Sequence, residues 1–211
     1  MAKSVVKTGQ YVVRPYASMD DARSARRLAA DLAAYVQEPE PDRGVRSFLA
    51  VFEQPTDPVE EAEFERLFWA TLDRVHRADG HPWDPSVSSD PAHPEFSFSV
   101  GGRAFYVVGM HPGASRQARR FPRPLIAFNL HSQFEDLRAS GRYAAVRDTI
   151  RARDLALQGS VNPSLQDFGT QSEARQYAGR AVGDGWRCPF HPAPTADAAE
   201  PPATDPSADA R

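Results

Sequence analysis

Apolar positions along the chain switch between a helical and a strand-like period. Residues 22–37 are rich in Ala, Leu and Arg, and the spacing predicts a first helix closed by the Pro-rich EPEPDRG stretch. SFLAVF at 47–52 is an unbroken apolar run between that turn and Pro55, which predicts a buried strand. Asp57, Pro58 and Glu60 then form a helix-start signal, with Phe64, Leu67, Phe68, Leu72 and Val75 following on one face to about Ala78. The four prolines of 79–94 predict a loop. A hairpin follows: 96–100, the turn Gly101-Gly102, and 103–110, because two glycines between β-prone runs favour a primed turn. PLIAFNL at 124–130 predicts a third strand. Ser132 with Glu135 reads as a capping box for the next helix, Val146, Ile150 and Leu157 mark another over 143–157, and Thr170 with Glu173 boxes the last, ending near Val182. The implied fold class is α+β: a single domain with a small antiparallel sheet flanked by helices.

Composition narrows the function classes. With 211 residues, 41% hydrophobic, the chain suffices for one core of ordinary size. A single Cys excludes a disulfide framework, and no apolar run approaches the roughly 20 residues of a membrane helix. The start, MAKSVVKTGQ, lacks the apolar core of an export signal, so the expected location is cytoplasmic. A net charge of −3 argues against a nucleic-acid partner or an anionic membrane. Residues 192–211 hold no aromatic or large aliphatic side chain and are expected to be disordered, with 1–10 flexible and a folded body over 11–191.

The densest polar segment, HPGASRQARRFPR at 111–123, joins two predicted neighbouring strands. Its Arg116, Arg119, Arg120 and Arg123 suggest a bidentate clamp for carboxylates or phosphates, since four arginines in one connection are hardly all structural; the alternative is a solvated loop. His111 and His131 leave opposite ends of those strands if they pair antiparallel, so a two-His site is not expected. Each is a candidate metal ligand or base, or else a hydrogen-bonded structural residue. Cys188, in WRCPFH, precedes a proline. The Cys-Pro pair suits an axial heme ligand, and the alternative is an inert buried thiol. Asn162, Gln166 and Asp167 lie in an amide-rich stretch that could orient a cationic substrate, with Asp167 as its anion.

The segments GMHPGASRQARRFPRPLIAFNLHSQFEDLR, LQGSVNPSLQDFGTQSEARQYAGR and WRCPF, with FERLFW at 64–69 and FSFSVGG at 96–102, together resemble the YqcI/YcgG family from about Phe48 to Phe190. That resemblance implies a heme protein. Biosynthetic members are heme-dependent hydroxylases of a guanidino nitrogen of arginine or a related compound. It points to His111, His131, the Arg116, Arg119 and Arg120 cluster and Cys188 for heme. Of these, His131 is the favoured axial ligand because it ends an apolar strand and is followed by the Ser132–Glu135 capping box, with His111 and Cys188 as alternatives. The expected partners are a small guanidino or amine substrate and, since no flavin or dinucleotide fingerprint is present, an external electron donor. A heme-binding sensor or carrier without turnover is the rival reading.

Overall fold

The computed structural model describes residues 9–39, 45–162 and 169–192. The expectations of a flexible start and a disordered tail fall almost wholly outside these residues, as do the candidates Gln166 and Asp167.

Strand β1 (Tyr11–Ser18) leads into helix α1 (Ala22–Tyr35), which returns the chain to β2 (Ser47–Gln54). Helix α2 (Glu61–Ala78) is followed by the expected loop and by the hairpin of β3 (Phe98–Val100) and β4 (Arg103–Met110). A short 3-10 turn, Gln117–Arg119, precedes β5 (Leu125–Leu130), helix α3 (His131–Ala139), helix α4 (Tyr143–Gln158) and the single-turn α5 (Ala174–Tyr177). The sheet order is β1-β2-β5-β4-β3. The α+β class holds, with one correction: the sheet is mixed rather than antiparallel, because β1 pairs parallel to β2 in register Tyr11↔Ser47 through the α1 crossover. The hydrophobic pattern conceals β1. Tyr16 is its only buried residue, and Pro15 lies mid-strand, a position tolerated at a sheet edge.

The core lies between the sheet and α1 and α2. Phe48, Ala50 and Phe52 of β2, Phe105 and Val107 of β4, and Ile126, Phe128 and Leu130 of β5 alternate into it, against Leu28, Leu32, Phe64, Phe68, Leu72 and Val75. All six residues of β5, the middle strand, are buried. The β3–β4 turn is as expected, with φ +65° at Gly101 and +73° at Gly102, the pair of left-handed positions that a type I′ turn requires. At Gly109 an added Cβ would lie 2.8 Å from Phe64 Cε1, so a glycine lets β4 approach α2.

The cap signals read from sequence are corrected. Helix α2 starts at Glu61, with Glu60 as an N-cap that makes no side-chain bond, rather than at Asp57-Pro58. Glu61 instead accepts bonds from the Ser115 backbone N–H and hydroxyl at 2.9 and 2.8 Å, and the 111–115 turn packs against the segment before it. Helix α3 begins two residues early, at His131 with Leu130 as its N-cap. Ser132 Oγ accepts from Arg103 and Glu135 faces His131 and Arg138, so no capping box forms. Helix α5 ends at Tyr177 rather than near Val182, and the Glu173 carboxylate turns inward. Nor does α4 bury the expected Val146, Ile150 and Leu157 face. Asp154 is its only buried residue, and Leu155 and Leu157 are 52% and 49% exposed.

Candidate functional site

Registers Phe105↔Leu130 and Met110↔Leu125 put His131 and His111 just beyond opposite ends of the β4–β5 ladder, which is itself about 17 Å long. They do not share a site. His111 is held by its backbone: its N–H donates to Arg119 O at 3.0 Å, and its carbonyl accepts from the Ala114 and Phe121 N–H groups. The ring stacks on Phe64 with centroids 4.1 Å apart and planes 12° from parallel. Nδ1 is buried and has no hydrogen-bond partner. Burial lowers the His111 pKa against the opposing charge of Glu61, so the imidazole is neutral at physiological pH.

The arginines after His111 do not converge. Arg116 pairs with buried Asp154 at 2.7 Å and donates to Ser160 O. Arg119 is buried and donates to the carbonyls of Gly109, Tyr177 and Gln176 at 3.0 to 3.2 Å. Arg123 donates to Glu53 O. Arg120 gives Nε to Ala114 O, and its two Nη atoms have no partner among the described residues. Unpaired carbonyls in an irregular connection thus take up donors from all four arginines, while the Arg120 Nη atoms are left over. Asp154 also accepts from the backbone N–H of Asn162 at 2.6 Å, so the exposed α4 is tied down at its one buried carboxylate.

A second cluster occupies the other end of the ladder. His131 Nε2 lies 3.1 Å from Glu135 Oε1, and Nδ1 lies 3.3 Å from Ser97 Oγ. The Ser97 hydroxyl reaches Glu173 Oε2 at 2.9 Å. Tyr177 Oη stands 3.2 Å from the same carboxylate oxygen, 3.1 Å from Phe105 O, and accepts from the Phe98 N–H. Burial pushes the Glu173 carboxyl up to about 7, against the hydroxyls of Ser97 and Tyr177 that favour its charged form. The His131 pKa is lowered, again by burial first. Sequence reasoning missed Glu173, Ser97 and Tyr177. The available signal was FSFSV, where Ser97 and Ser99 interrupt a buried aromatic run and so call for polar partners.

Cys188 lies in the core, and burial pushes its thiol up to about 12. Glu65 nearby binds the Arg180 guanidinium and accepts from Trp186 Nε1 at 3.0 Å. No group of three or more His, Cys, Asp or Glu suited to a metal occurs among the described residues. A shallow cavity of about 310 Å³ opens near the end of β2, lined by residues including Pro15, Gln54 and Arg123, and none of the histidines borders it. Among the described residues no helix is long and apolar enough to cross a membrane.

The fold and these two clusters define an α+β domain with a buried imidazole at either end of its central strand pair. The model of the YqcI/YcgG family matches residues 1–191, and the chain belongs to that family. It is 28% identical over 166 residues to the uncharacterized protein YcgG of Bacillus subtilis (strain 168), covering 74% of this chain and 64% of that protein. It is 25% identical over 165 residues to the uncharacterized protein YqcI of the same organism, covering 73% and 64%. The match thus spans less than two thirds of the length of these relatives. No solved structure matches the chain.

Proposed function

We propose that this protein is a heme-dependent oxygenase that hydroxylates a nitrogen of a small guanidino or amine compound, drawing electrons from an external donor. The reading rests on the run of long motifs shared with the family, and one observation carries it onto this chain: His111 offers a buried, neutral imidazole whose Nδ1 has no partner. Such a nitrogen is a competent iron donor, since metal ligation needs the unprotonated ring. The other two candidates fit less well. Both ring nitrogens of His131 face hydrogen-bonding groups, and the Cys188 thiol is held in its protonated form. Bound heme would supply oxygen activation. The chain would supply the His111 nitrogen, the Phe64 face that keeps water from it, and the Arg120 Nη atoms for a carboxylate of heme or substrate.

The test is uptake of hemin by the purified protein, read by absorption. A stoichiometric Soret band, a ferrous-CO position typical of imidazole ligation, and loss of the band in a folded His111→Ala variant are the expected results. Absence of stoichiometric uptake, or an unchanged spectrum in that variant, overturns the assignment. Turnover of a guanidino compound with a chemical reductant then separates the oxygenase from a heme carrier.

A further inference from the structure

The cluster at the far end of the β4–β5 ladder has a property that follows from counting hydrogens. Ser97 has one hydroxyl proton and two neighbours, His131 Nδ1 at 3.3 Å and Glu173 Oε2 at 2.9 Å. If Glu173 is a neutral acid, it donates to one of the flanking hydroxyls and Tyr177 donates to Phe105 O. Ser97 then donates to an unprotonated Nδ1, and His131 Nε2–H donates to Glu135. If Glu173 is ionised, Ser97 donates to the carboxylate, Nδ1–H donates to Ser97, and Nε2–H again donates to Glu135, so the ring is an imidazolium. Both arrangements satisfy these contacts. They differ by reversal of the Ser97 hydroxyl and transfer of one proton between Glu173 and His131, with total charge unchanged.

We infer that His131, Ser97 and Glu173 form an internal acid–base pair that passes one proton through the Ser97 hydroxyl and exchanges it with solvent past Glu135. In the forward step the Glu173 O–H bond breaks as Ser97 Oγ gains that proton. Ser97 gives its original proton to Nδ1, and His131 releases the Nε2 proton to the Glu135 carboxylate, which is half exposed. No redox partner is needed. Burial favours the neutral arrangement at rest, because it raises the carboxyl and lowers the ring together. The other groups facing the pair are Glu135 and Arg138 on α3, Asp84 from the loop before β3, Tyr177 on α5, and Tyr106 on β4 beside Tyr177. Arg138 favours the charged carboxylate and the neutral ring, whereas Glu135 favours the neutral acid and the charged ring. The interior thus holds a carboxylic acid poised near neutrality, the condition a general acid must meet. This inference does not depend on heme, since no atom of the cluster belongs to the His111 end.

Two spectroscopic readouts on the full chain without added heme test it. Infrared difference spectra at about pH 7 are expected to show the carbonyl stretch of a protonated carboxylic acid in the wild type and not in Glu173→Gln. Nitrogen NMR of the His131 ring is expected to show the neutral form with the proton on Nε2. Its titration midpoint should fall in Glu173→Gln, where the Glu173 anion no longer rewards ring protonation and only Glu135 does, and the ring and acid signals should cease to move together in Ser97→Ala. Circular dichroism confirms that each variant is folded. The inference is overturned if the acid band is absent from wild type, if His131 carries its proton on Nδ1 while neutral, or if its midpoint is the same in all three proteins.

Discussion

Arg119 illustrates how a residue that looks like ligand-binding chemistry can serve the backbone. It is buried, and burial lowers its pKa, yet it remains bonded to three backbone carbonyls, of Gly109, Gln176 and Tyr177. Arg119→Ala is expected to destabilise the fold by about 2–4 kcal/mol in urea unfolding, since buried acceptors would lose their donors. Glu173 acts through protonation. Its folded pKa of about 7 lies above its ordinary value of 4.5, so its contribution to stability is complete below about 4.5 and is lost as pH rises through about 7. His76, His111 and His131 are all lowered by burial and act in the opposite sense: the unfolded chain binds their protons more readily, so stability falls as pH drops through about 6.5. Glu173→Gln should therefore raise the urea midpoint more at pH 7.5 than at 5.5, and an equal gain at both would refute the assignment. The residues themselves are plain in the sequence, but their partners are not. Ser97 and Glu173 are 76 positions apart, and no local pattern announces such a contact.

Among the elements, those with a strong period were legible and those dependent on distant partners were not. The apolar stripe of α2 and the Gly101-Gly102 hairpin are set by local chemistry, and both stand where the pattern places them. The capping boxes failed because each polar group found a stronger distant partner: Ser132 meets Arg103, and Glu173 meets Ser97 and Tyr177. Helix α4 was legible as a helix, but its apolar residues gave no warning that none of them is buried. Gly109 shows the same dependence on packing. Its role becomes visible only against the rings of Phe64 and Phe68, and Gly109→Ala is expected to cost about 1–3 kcal/mol by thermal unfolding as β4 and α2 are forced apart.

On the scale of the whole molecule, the end of the described chain is part of the core. Phe190 is fully buried against Trp69, His76, Trp83, Phe96 and Phe98, and the Glu65–Arg180 pair with the Trp186 indole binds the approach to it. Phe190→Ala is expected to lower stability by about 3–5 kcal/mol in urea, a loss that a surface role for this segment would not produce. The sheet order has a consequence for how the protein is made. Strand β5 lies between β2 and β4, so the two halves of the sheet, both synthesised earlier, have no strand to pair them until residue 130 has left the ribosome. Until then a nascent chain carries two raw strand edges beside large aromatic faces, the condition that invites association with other chains. A fragment ending at residue 110 should accordingly aggregate in light scattering at concentrations where the full chain stays dispersed.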